Sequence, residues 1–267
     1  MAVLNPEEVN ALRRAYNAAG RGIVRRSLRR LMPDGEVSVD GMTLYLEPQK
    51  NFTDLLLWTT QTWSEPKSVE ALTQRIAGKR SLILDLGANS GAFTLPLARA
   101  AGEGSCVVAF EPNPAVAARL ARNVYRNGLG DRVHIVPAAA GNGEELGLEV
   151  NAANQGQTTT RAPREGLAVI RSEPVKAHLE RVEKPEAIVL KADIEGYEDK
   201  ALVPFLESCP DELLPELILI ETDHDSQWEQ DLYGALENKG YRTTEKMEGN
   251  TLFELSYAPS GAPKEEA

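Results

Sequence analysis

Short apolar runs alternate with amphipathic stretches over most of the chain after residue 80. A continuous apolar run of about 4–8 residues is typical of a strand that is buried on both faces. Such runs predict strands at residues 81–86, 106–110, 133–136, 187–190 and 216–220. The spacing of apolar residues between them predicts helices at residues 93–101, 114–127, 198–206 and 226–239. The alternation therefore predicts an α/β protein whose mostly parallel sheet carries helices on both faces.

Other parts of the chain depart from this alternation. Residues 144–171 have the pattern of irregular strands and loops, whereas residues 242–244 and 251–255 predict an antiparallel pair that closes the sheet. The beginning of the chain predicts one or two basic helices, a hairpin around Asp40-Gly41 and a further helix. The predicted organisation is a helical and hairpin cap at residues 1–66, an α/β domain at residues 67–258 and a disordered tail at residues 259–267.

Composition and charge exclude several classes of protein. The 267 residues are 42% hydrophobic and 26% charged, as in an ordinary globular protein. The net charge of −11 argues against a broad nucleic-acid-binding surface, so no nucleic-acid partner is expected. The chain has no apolar run of about 18 residues, and it begins without the pattern of a secretion signal. Cys106 and Cys209 match no metal or redox spacing and are interpreted as buried thiols, so we expect a cytoplasmic protein.

Positive charge is concentrated at the beginning of the chain. Residues 1–32 contain seven arginines against two acidic residues, Glu7 and Glu8. A basic segment with apolar positions is compatible with a cap over a site, and also with peripheral contact to anionic lipid or to a charged carrier. The cap is the simpler interpretation, and contact through residues 1–32 is kept as the alternative.

A glycine-containing turn follows the first strand of the α/β domain, in the segment Asp85-Leu86-Gly87-Ala88-Asn89-Ser90-Gly91. Asn89 and Ala92 occupy glycine positions of the dinucleotide fingerprint, and Ala92-Phe93 replaces the Gly-Lys of a P-loop. Both phosphate-binding motifs are therefore excluded. A carboxylate at the strand end instead suits a cationic ammonium group, such as the one that S-adenosylmethionine carries. The residues of this turn predicted to bind such a ligand are Asp85, Gly87, Asn89 and Gly91.

The second strand of the domain is followed by Glu111-Pro112-Asn113. An acidic residue at the tip of the neighbouring strand, about 20 positions after the glycine turn, can accept hydrogen bonds from a ribose diol. Glu111 stands 24 residues after Gly87. The two motifs together predict an adenosyl ligand with a cationic amino-acid end, and Glu111, Pro112 and Asn113 are the candidates for binding its nucleoside.

Two further strands end in ionisable residues. Lys191, Asp193 and Glu195 are spaced by two at the end of one strand, and Glu221 and His224 follow the next. Because the carboxyl ends of parallel strands meet at one edge of a sheet, these residues are expected to face one site. We predict that Asp193 or His224 is a general base and that Glu195 and Glu221 orient the base or the acceptor. The same carboxylates leave Mg²⁺ open as an alternative, although no metal ligand is assigned.

These motifs resemble those of the FkbM family of S-adenosylmethionine-dependent methyltransferases. The resemblance spans residues 63–256, and Lys191-Ala192-Asp193-Ile194-Glu195-Gly196-Tyr197-Glu198 is its family-specific part. It implies the class I, Rossmann-like methyltransferase fold, with seven strands in the order 3-2-1-4-5-7-6 and strand 7 antiparallel. It also implies S-adenosylmethionine as the cofactor, and Glu65 as a residue that closes over the amino-acid end of the cofactor.

The resemblance implies O-methylation of a sugar, polyketide or other small-molecule hydroxyl. Trp58, Trp63 and the loop at residues 154–160 are candidates for the acceptor pocket, although ordinary core and loop positions explain them at least as well. Methylation of a protein or a nucleic acid remains open. So does a non-catalytic module that contacts a membrane or a partner through the basic N-terminal segment. The sequence leaves the acceptor and the oligomeric state undetermined.

Overall fold

A seven-stranded sheet with helices packed on both faces forms the centre of the protein. The computed structural model describes residues 5–256, so the tail expected at residues 259–267 lies outside the described residues. The helices are α1 (Pro6–Ala18), α2 (Ile23–Arg29), α3 (Phe52–Thr60), α4 (Pro66–Ile76), α5 (Thr94–Ala100), α6 (Pro114–Arg126), α7 (Glu198–Ser208) and α8 (Leu232–Asn238). The strands are β1 (Gly35–Val39), β2 (Met42–Leu46), β3 (Ser81–Leu86), β4 (Cys106–Phe110), β5 (Val133–Val136), β6 (Ala140–Gly141), β7 (Glu145–Val150), β8 (Thr158–Arg161), β9 (Ala168–Arg171), β10 (Glu173–Pro174), β11 (Ala187–Ala192), β12 (Leu217–Glu221), β13 (Tyr241–Met247) and β14 (Asn250–Leu255). Within this part of the chain, no helix is long and apolar enough to cross a membrane.

The strands of the central sheet follow the order β13-β14-β12-β11-β3-β4-β5. Strands β12, β11, β3, β4 and β5 pair in parallel, whereas β14 is antiparallel to both β12 and β13. Counted from the β5 edge, this is the order 3-2-1-4-5-7-6 that the resemblance implies. The chain reverses its progress across the sheet between β3 and β11, and ligands in such sheets bind beyond the carboxyl ends of the strands at that point.

The central strands are buried on both faces, which explains their continuous apolar runs. All residues of β3 and of β11 are buried. Ile83 and Val189 belong to one apolar cluster, together with side chains of α4, α5 and the N-terminal cap. Their neighbours Leu84 and Leu190 belong to a second cluster, together with side chains of α7 and α8. Successive residues of one strand therefore enter opposite cores, as the two-residue repeat of a strand requires.

The N-terminal cap packs against one face of this sheet. Its hairpin turns at Asp40, with φ 46°, and Gly41, with φ 75°, and two left-handed residues are typical of a two-residue hairpin turn. Leu44, Leu57 and Trp58 are buried in the same apolar cluster as one face of the central strands. The cap and the sheet thus share a core, and the domain boundary at residue 66 stays a prediction.

A buried ion pair joins the cap to α6. Arg119 donates from Nη1 to Asp54 Oδ2 at 2.8 Å and from Nη2 to Glu47, and both Arg119 and Asp54 are buried. Ser90 Oγ donates to Asp54 Oδ1 at 2.5 Å, which connects this pair to the turn after β3. We call Glu47, Asp54 and Arg119 the cap junction.

Two segments differ from the sequence prediction. Residues 144–171 are more regular than expected, because β8, β7 and β9 form a three-stranded antiparallel sheet. Helix α8 begins at Leu232 rather than near residue 226, because Asp231 accepts the hydrogen bond from Gly234 N that defines the helix start. Cys209 is buried as predicted, whereas Cys106 is partly exposed.

Candidate active site

A cleft opens where β3, β4 and β11 end. The residues that follow these strands form one part of its wall: Gly87, Asn89, Glu111, Pro112, Asp193, Ile194 and Glu195. Phe52 and Thr53 at the start of α3 form another part. Further wall residues come from the loop before β8 and from that strand: Asn154, Gly156, Gln157, Thr158 and Thr160. The structure thus brings the predicted motifs of three strands to one cleft, and it adds the cap as a wall.

Position 87 requires a glycine because the backbone just after β11 packs directly against the glycine turn. Its φ is +80°, and a Cβ there would lie 1.8 Å from the carbonyl oxygen of Asp193. Gly87 N and Ala88 N donate to Phe110 O at 3.1 and 2.9 Å, and Asp193 N donates to Leu86 O at 3.1 Å. Backbone contacts from both neighbouring strands therefore hold the turn, and no other residue type fits at position 87 without displacing β11.

Asn89 and Glu111 form a second link across the cleft floor. Asn89 N donates to Glu111 Oε2 at 3.0 Å, and Asn113 N donates to Glu111 Oε1 at 2.8 Å. Asn89 has φ 50°, and its Oδ1 accepts hydrogen bonds from Asn51 Nδ2 at 2.6 Å and from Ser90 N at 2.8 Å. Burial raises the pKa of Glu111 to about 7. A carboxylate oxygen has more than one lone pair, so Glu111 keeps capacity to accept from hydroxyl groups in the cleft.

Asn113 lies beneath the cleft rather than in its wall. Its Oδ1 accepts from Ala115 N at 3.1 Å and caps α6, and its Nδ2 donates to Thr158 Oγ1 at 3.2 Å. The side chain is buried, and only Pro112 of the Pro-Asn pair lines the cleft. The structure therefore places Asn113 as a helix cap that supports the loop before β8, and its contact with the ligand stays a prediction.

Lys191 is a buried ammonium group at the centre of the site. Its Nζ donates to Gly87 O at 2.9 Å and to Leu86 O at 3.3 Å. It lies 3.7 Å from Asp85 Oδ1 and 3.6 Å from Asp193 Oδ2. Burial alone would lower the pKa of Lys191, but the surrounding carboxylates outweigh burial and raise it. Lys191 therefore stays charged, and it holds the glycine turn while neutralising the carboxylates on either side.

Asp85 and Gly91 lie behind the cleft rather than in its wall. Asp85 is completely buried, and its Oδ2 accepts a hydrogen bond from Thr94 Oγ1 at 2.5 Å. Gly91 is buried with φ +106°, and a Cβ there would lie 2.2 Å from Leu95 Cδ1. Asp85 lies next to Lys191 and Gly91 permits close packing of α5, and ligand binding by either residue stays a prediction.

Three ionisable side chains form a group at the mouth of the cleft, which we call the proton cluster: Glu195, Glu221 and His224. His224 Nε2 lies 3.5 Å from Glu195 Oε2 and 3.8 Å from Glu221 Oε1. Burial is the main cause that raises the pKa of Glu195 to about 7 and that of Glu221 to about 8. Of the three, only Glu195 lines the cleft. His224 and Glu221 therefore lie outside the cleft wall, and His224 is next to Glu195.

The backbone around Glu195 has an unusual conformation. Glu195 and Gly196 have φ values of +58° and +91°. Glu198 Oε1 accepts hydrogen bonds from Ile194 N at 2.8 Å and from Gly196 N at 3.3 Å. A left-handed non-glycine residue persists only where its surroundings hold it, and Glu198 supplies that support. Glu198, the last residue of the family-specific segment, thus stabilises the turn that places Glu195 in the cleft wall.

The structure does not assemble the alternative metal site from the sequence analysis. Over residues 5–256, no group of three or more His, Cys, Asp or Glu side chains is arranged to hold a metal ion.

Glu65 lies near the same charges but does not line the cleft. Its Oε2 accepts a hydrogen bond from Asn250 Nδ2 at 2.6 Å, and it precedes α4. Burial, followed by the charge of Asp193, raises the pKa of Glu65. Its position near Asp193 and Lys191 is compatible with the predicted role at the amino-acid end of a donor, and this role stays a prediction.

The sequence analysis did not single out Phe52 and Thr53, and of its two interpretations of the tryptophans the structure fits the core positions. Phe52 and Thr53 line the cleft, and the only local signal is Asn51, which caps α3. Trp58 and Trp63 are buried in the apolar core rather than lining the cleft, because their rings fill the space between the cap and the sheet. The loop at residues 154–160 does line the cleft, as predicted.

Comparison with known proteins identifies the class. A family model described as the methyltransferase FkbM domain matches residues 85–243. This region is more than half of the chain and contains the glycine turn, Glu111 and the proton cluster. The chain therefore belongs to the FkbM methyltransferase family, which confirms the resemblance seen in its motifs. A search of curated protein sequences finds no match.

Several solved structures share a distant likeness with the chain. A methyltransferase from Geobacter sulfurreducens is 14% identical, with 77% of this chain and 88% of that chain covered and a TM-score of 0.45. TYW2 from M. jannaschii, solved in complex with AdoMet, is 15% identical, with 84% and 88% covered and a TM-score of 0.43. Cofactor-bound Rv0187 from MTB is 17% identical, with 71% and 79% covered and a TM-score of 0.39.

Proposed function

We propose that this protein transfers a methyl group from S-adenosylmethionine to a hydroxyl of a small molecule such as a sugar or a polyketide. Membership of the FkbM family supports methyl transfer. The choice of a hydroxyl rests on a single observation, which is the position of Glu195. This carboxyl lines the cleft, has a pKa raised to about 7 and has His224 within 3.5 Å.

The residues of the cleft fit the proposed donor. Glu111 at the end of β4 has the acceptor capacity that a ribose diol needs, and Asn89 N holds it in place. Asp193 lines the cleft and Glu65 lies close enough for the charge of Asp193 to raise its pKa, so these two carboxyls are the candidates for binding the ammonium group of the donor. When bound, S-adenosylmethionine supplies a methyl group that its sulfonium already activates. The work left to the protein is to align the acceptor and to receive its proton.

Glu195 is the group best placed to receive that proton. An alcohol is almost completely un-ionised at neutral pH, and a base whose pKa lies near the working pH is the most effective one. Asp193 also lines the cleft, but its carboxylate is held 3.6 Å from the buried ammonium of Lys191. His224 stands behind Glu195. We therefore assign Glu195 as the base, with His224 tuning it and Asp193 orienting the acceptor, instead of the Asp193 or His224 base predicted from the sequence.

Calorimetric titration with S-adenosylmethionine and S-adenosylhomocysteine tests the donor site, and both compounds are expected to bind. Tritiated methyl transfer to a panel of sugar and polyketide alcohols then tests the reaction. Glu195→Gln should lower the rate about 10²–10⁴-fold and leave donor affinity within a few-fold. Glu245→Gln, an exposed change on β13, is the matched control and should leave both unchanged. The proposal would be contradicted if the donor did not bind, if the tritiated methyl group were found on a nitrogen atom, or if Glu195→Gln kept full activity.

A further inference from the structure

A second groove lies between the first two helices and α3. Four arginines line it: Arg21, Arg25, Arg26 and Arg29. Apolar and aromatic side chains complete it, namely Tyr16, Phe52, Leu55 and Leu56. None of the nine residues that line this arginine groove is acidic. The groove is therefore a concentrated positive charge beside an apolar surface, on a protein whose net charge is −11.

The guanidinium groups of the groove have few partners in the part of the chain that the structure describes. Within residues 5–256, none of the four arginines forms an ion pair. Arg29 donates only to the backbone carbonyls of Pro48 and Gln49, at 2.9 and 3.1 Å. The guanidinium of Arg25 stacks on the Tyr16 ring at 4.5 Å, and its buried Nε has no hydrogen-bond partner. Hydrogen-bonding capacity and positive charge therefore remain for an anionic ligand.

The groove adjoins the cleft of the proposed active site. Phe52 lines both the arginine groove and the cleft, and it is 49% exposed. Its backbone N donates to Asn154 Oδ1 at 2.8 Å, so it is also fixed to the loop that lines the cleft. The arginine groove and the cleft therefore share Phe52 as a wall residue.

We propose that the arginine groove binds a phosphate or diphosphate ester carried by the methyl acceptor. Guanidinium groups present paired N–H donors that match phosphate oxygens, and several of them can share one diphosphate. The organic part of the acceptor would then pack along Phe52 and extend its hydroxyl into the cleft. The assignment of this ligand as the acceptor rests on the proposed function, whereas binding to the groove does not.

The geometry favours a small ligand over a membrane surface. Arg25 and Arg29 are partly buried, and a flat bilayer would reach only the outer residues. The feature that favours lipid is the exposure of Ile23, Val24 and Leu31, at 81%, 64% and 55%. Contact with anionic lipid is therefore the rival explanation of the same arginines.

Titration of the full chain with inorganic pyrophosphate, without methyl donor, tests the groove. Arg21→Gln/Arg26→Gln changes two exposed arginines of the groove whose side chains make no hydrogen bond or ion pair within residues 5–256. This variant should weaken pyrophosphate binding by about tenfold or more. Arg14→Gln/Arg30→Gln changes the charge equally, also at exposed positions, but outside the groove, and should retain binding within about twofold. Melting temperatures establish that both variants fold.

The outcomes separate the explanations. Selective loss of binding in the groove variant supports the proposal. No pyrophosphate binding, or equal loss in both variants, overturns it. Sedimentation with vesicles that contain phosphatidylserine, without pyrophosphate binding, overturns it in favour of a lipid surface. Because no methyl donor is present, failure here leaves the proposed methyl transfer untouched, and failure of donor binding leaves the groove untouched.

Discussion

The cap junction and the proton cluster each join two carboxyls to one basic side chain near the cleft, but the basic side chain differs. In the cap junction, Arg119 stands between Asp54 and Glu47, and Asp54 accepts further hydrogen bonds from Ser90 and from Glu47 N. In the proton cluster, two carboxyls face one histidine and their pKa values are raised to about 7 and 8. An arginine, which is always charged and here donates hydrogen bonds to both carboxylates, holds structure together, whereas carboxyls with pKa values near neutral beside a histidine can exchange protons.

Removing the central cation of the cap junction should have the largest effect on stability. Arg119→Met leaves Asp54 buried without its positive partner, so the free energy of unfolding should fall by about 3–5 kcal/mol. Arg126 lies on the same helix as Arg119 and forms an exposed ion pair with Glu36 of β1. Arg126→Met breaks this pair and should cost at most about 1 kcal/mol. Urea unfolding of both variants measures the difference. Equal stabilities would mean that the cap junction does not secure the cap.

Changes in the proton cluster should alter the pH dependence of the rate rather than the stability of the protein. A base is active when ionised, so the rate should rise with pH through about 7, the pKa of Glu195. The charge of Asp193 raises this pKa and that of His224 lowers it. Asp193→Asn should therefore move the rise to lower pH, and His224→Asn should move it to higher pH.

The pH profile of the rate, measured with saturating acceptor, gives these shifts. Asp223→Asn is the matched control, since this exposed carboxylate raises the pKa of Glu221 but is not among the causes that shift Glu195. A profile that rises at the same pH in the Asp193 and His224 variants would rule out Glu195 as the titrating base.

The smallest expected effect concerns the contact between the cap and the glycine turn. Asn51→Ala removes the cap of α3 and the hydrogen bond to Asn89 Oδ1, and should cost about 1 kcal/mol of stability. It should also raise the KM for the methyl donor a few-fold. Asn5→Ala removes an equivalent cap from α1, far along the chain from the cleft residues, and should lower stability without changing KM. Identical KM values would show that the cap does not position Asn89.

Much of the sheet could be predicted from the sequence because it depends on local patterns. The apolar runs of β3, β4 and β11 are visible without neighbours, and so is the glycine turn that follows β3. The sheet of β7, β8 and β9 was not predicted, because β8 and β9 have only four residues each, β8 contains no apolar residue and β9 is mostly exposed. Their pairing depends on which loops the fold brings together.

The site shows the same division. Glu111, Asp193 and Glu195 were found because each directly follows a strand, and strand ends meet at one edge of a parallel sheet. Asp85 also stands near the end of a strand, but it lies behind the cleft, next to Lys191 of the adjacent strand. The entry of Phe52 into the cleft depends on a contact with Asn154, which is 102 positions away.

The sequence by itself determined the alternation of strands and helices, the glycine turn and the set of ionisable residues at the strand ends. These features arise within short segments, where apolar spacing and backbone conformation act between near neighbours. Only the tertiary structure decided which carboxyl faces the cleft, which one Lys191 neutralises, and how the cap closes one wall. Burial, charge balance and pKa depend on groups that distant segments bring together, and no local pattern encodes those distances.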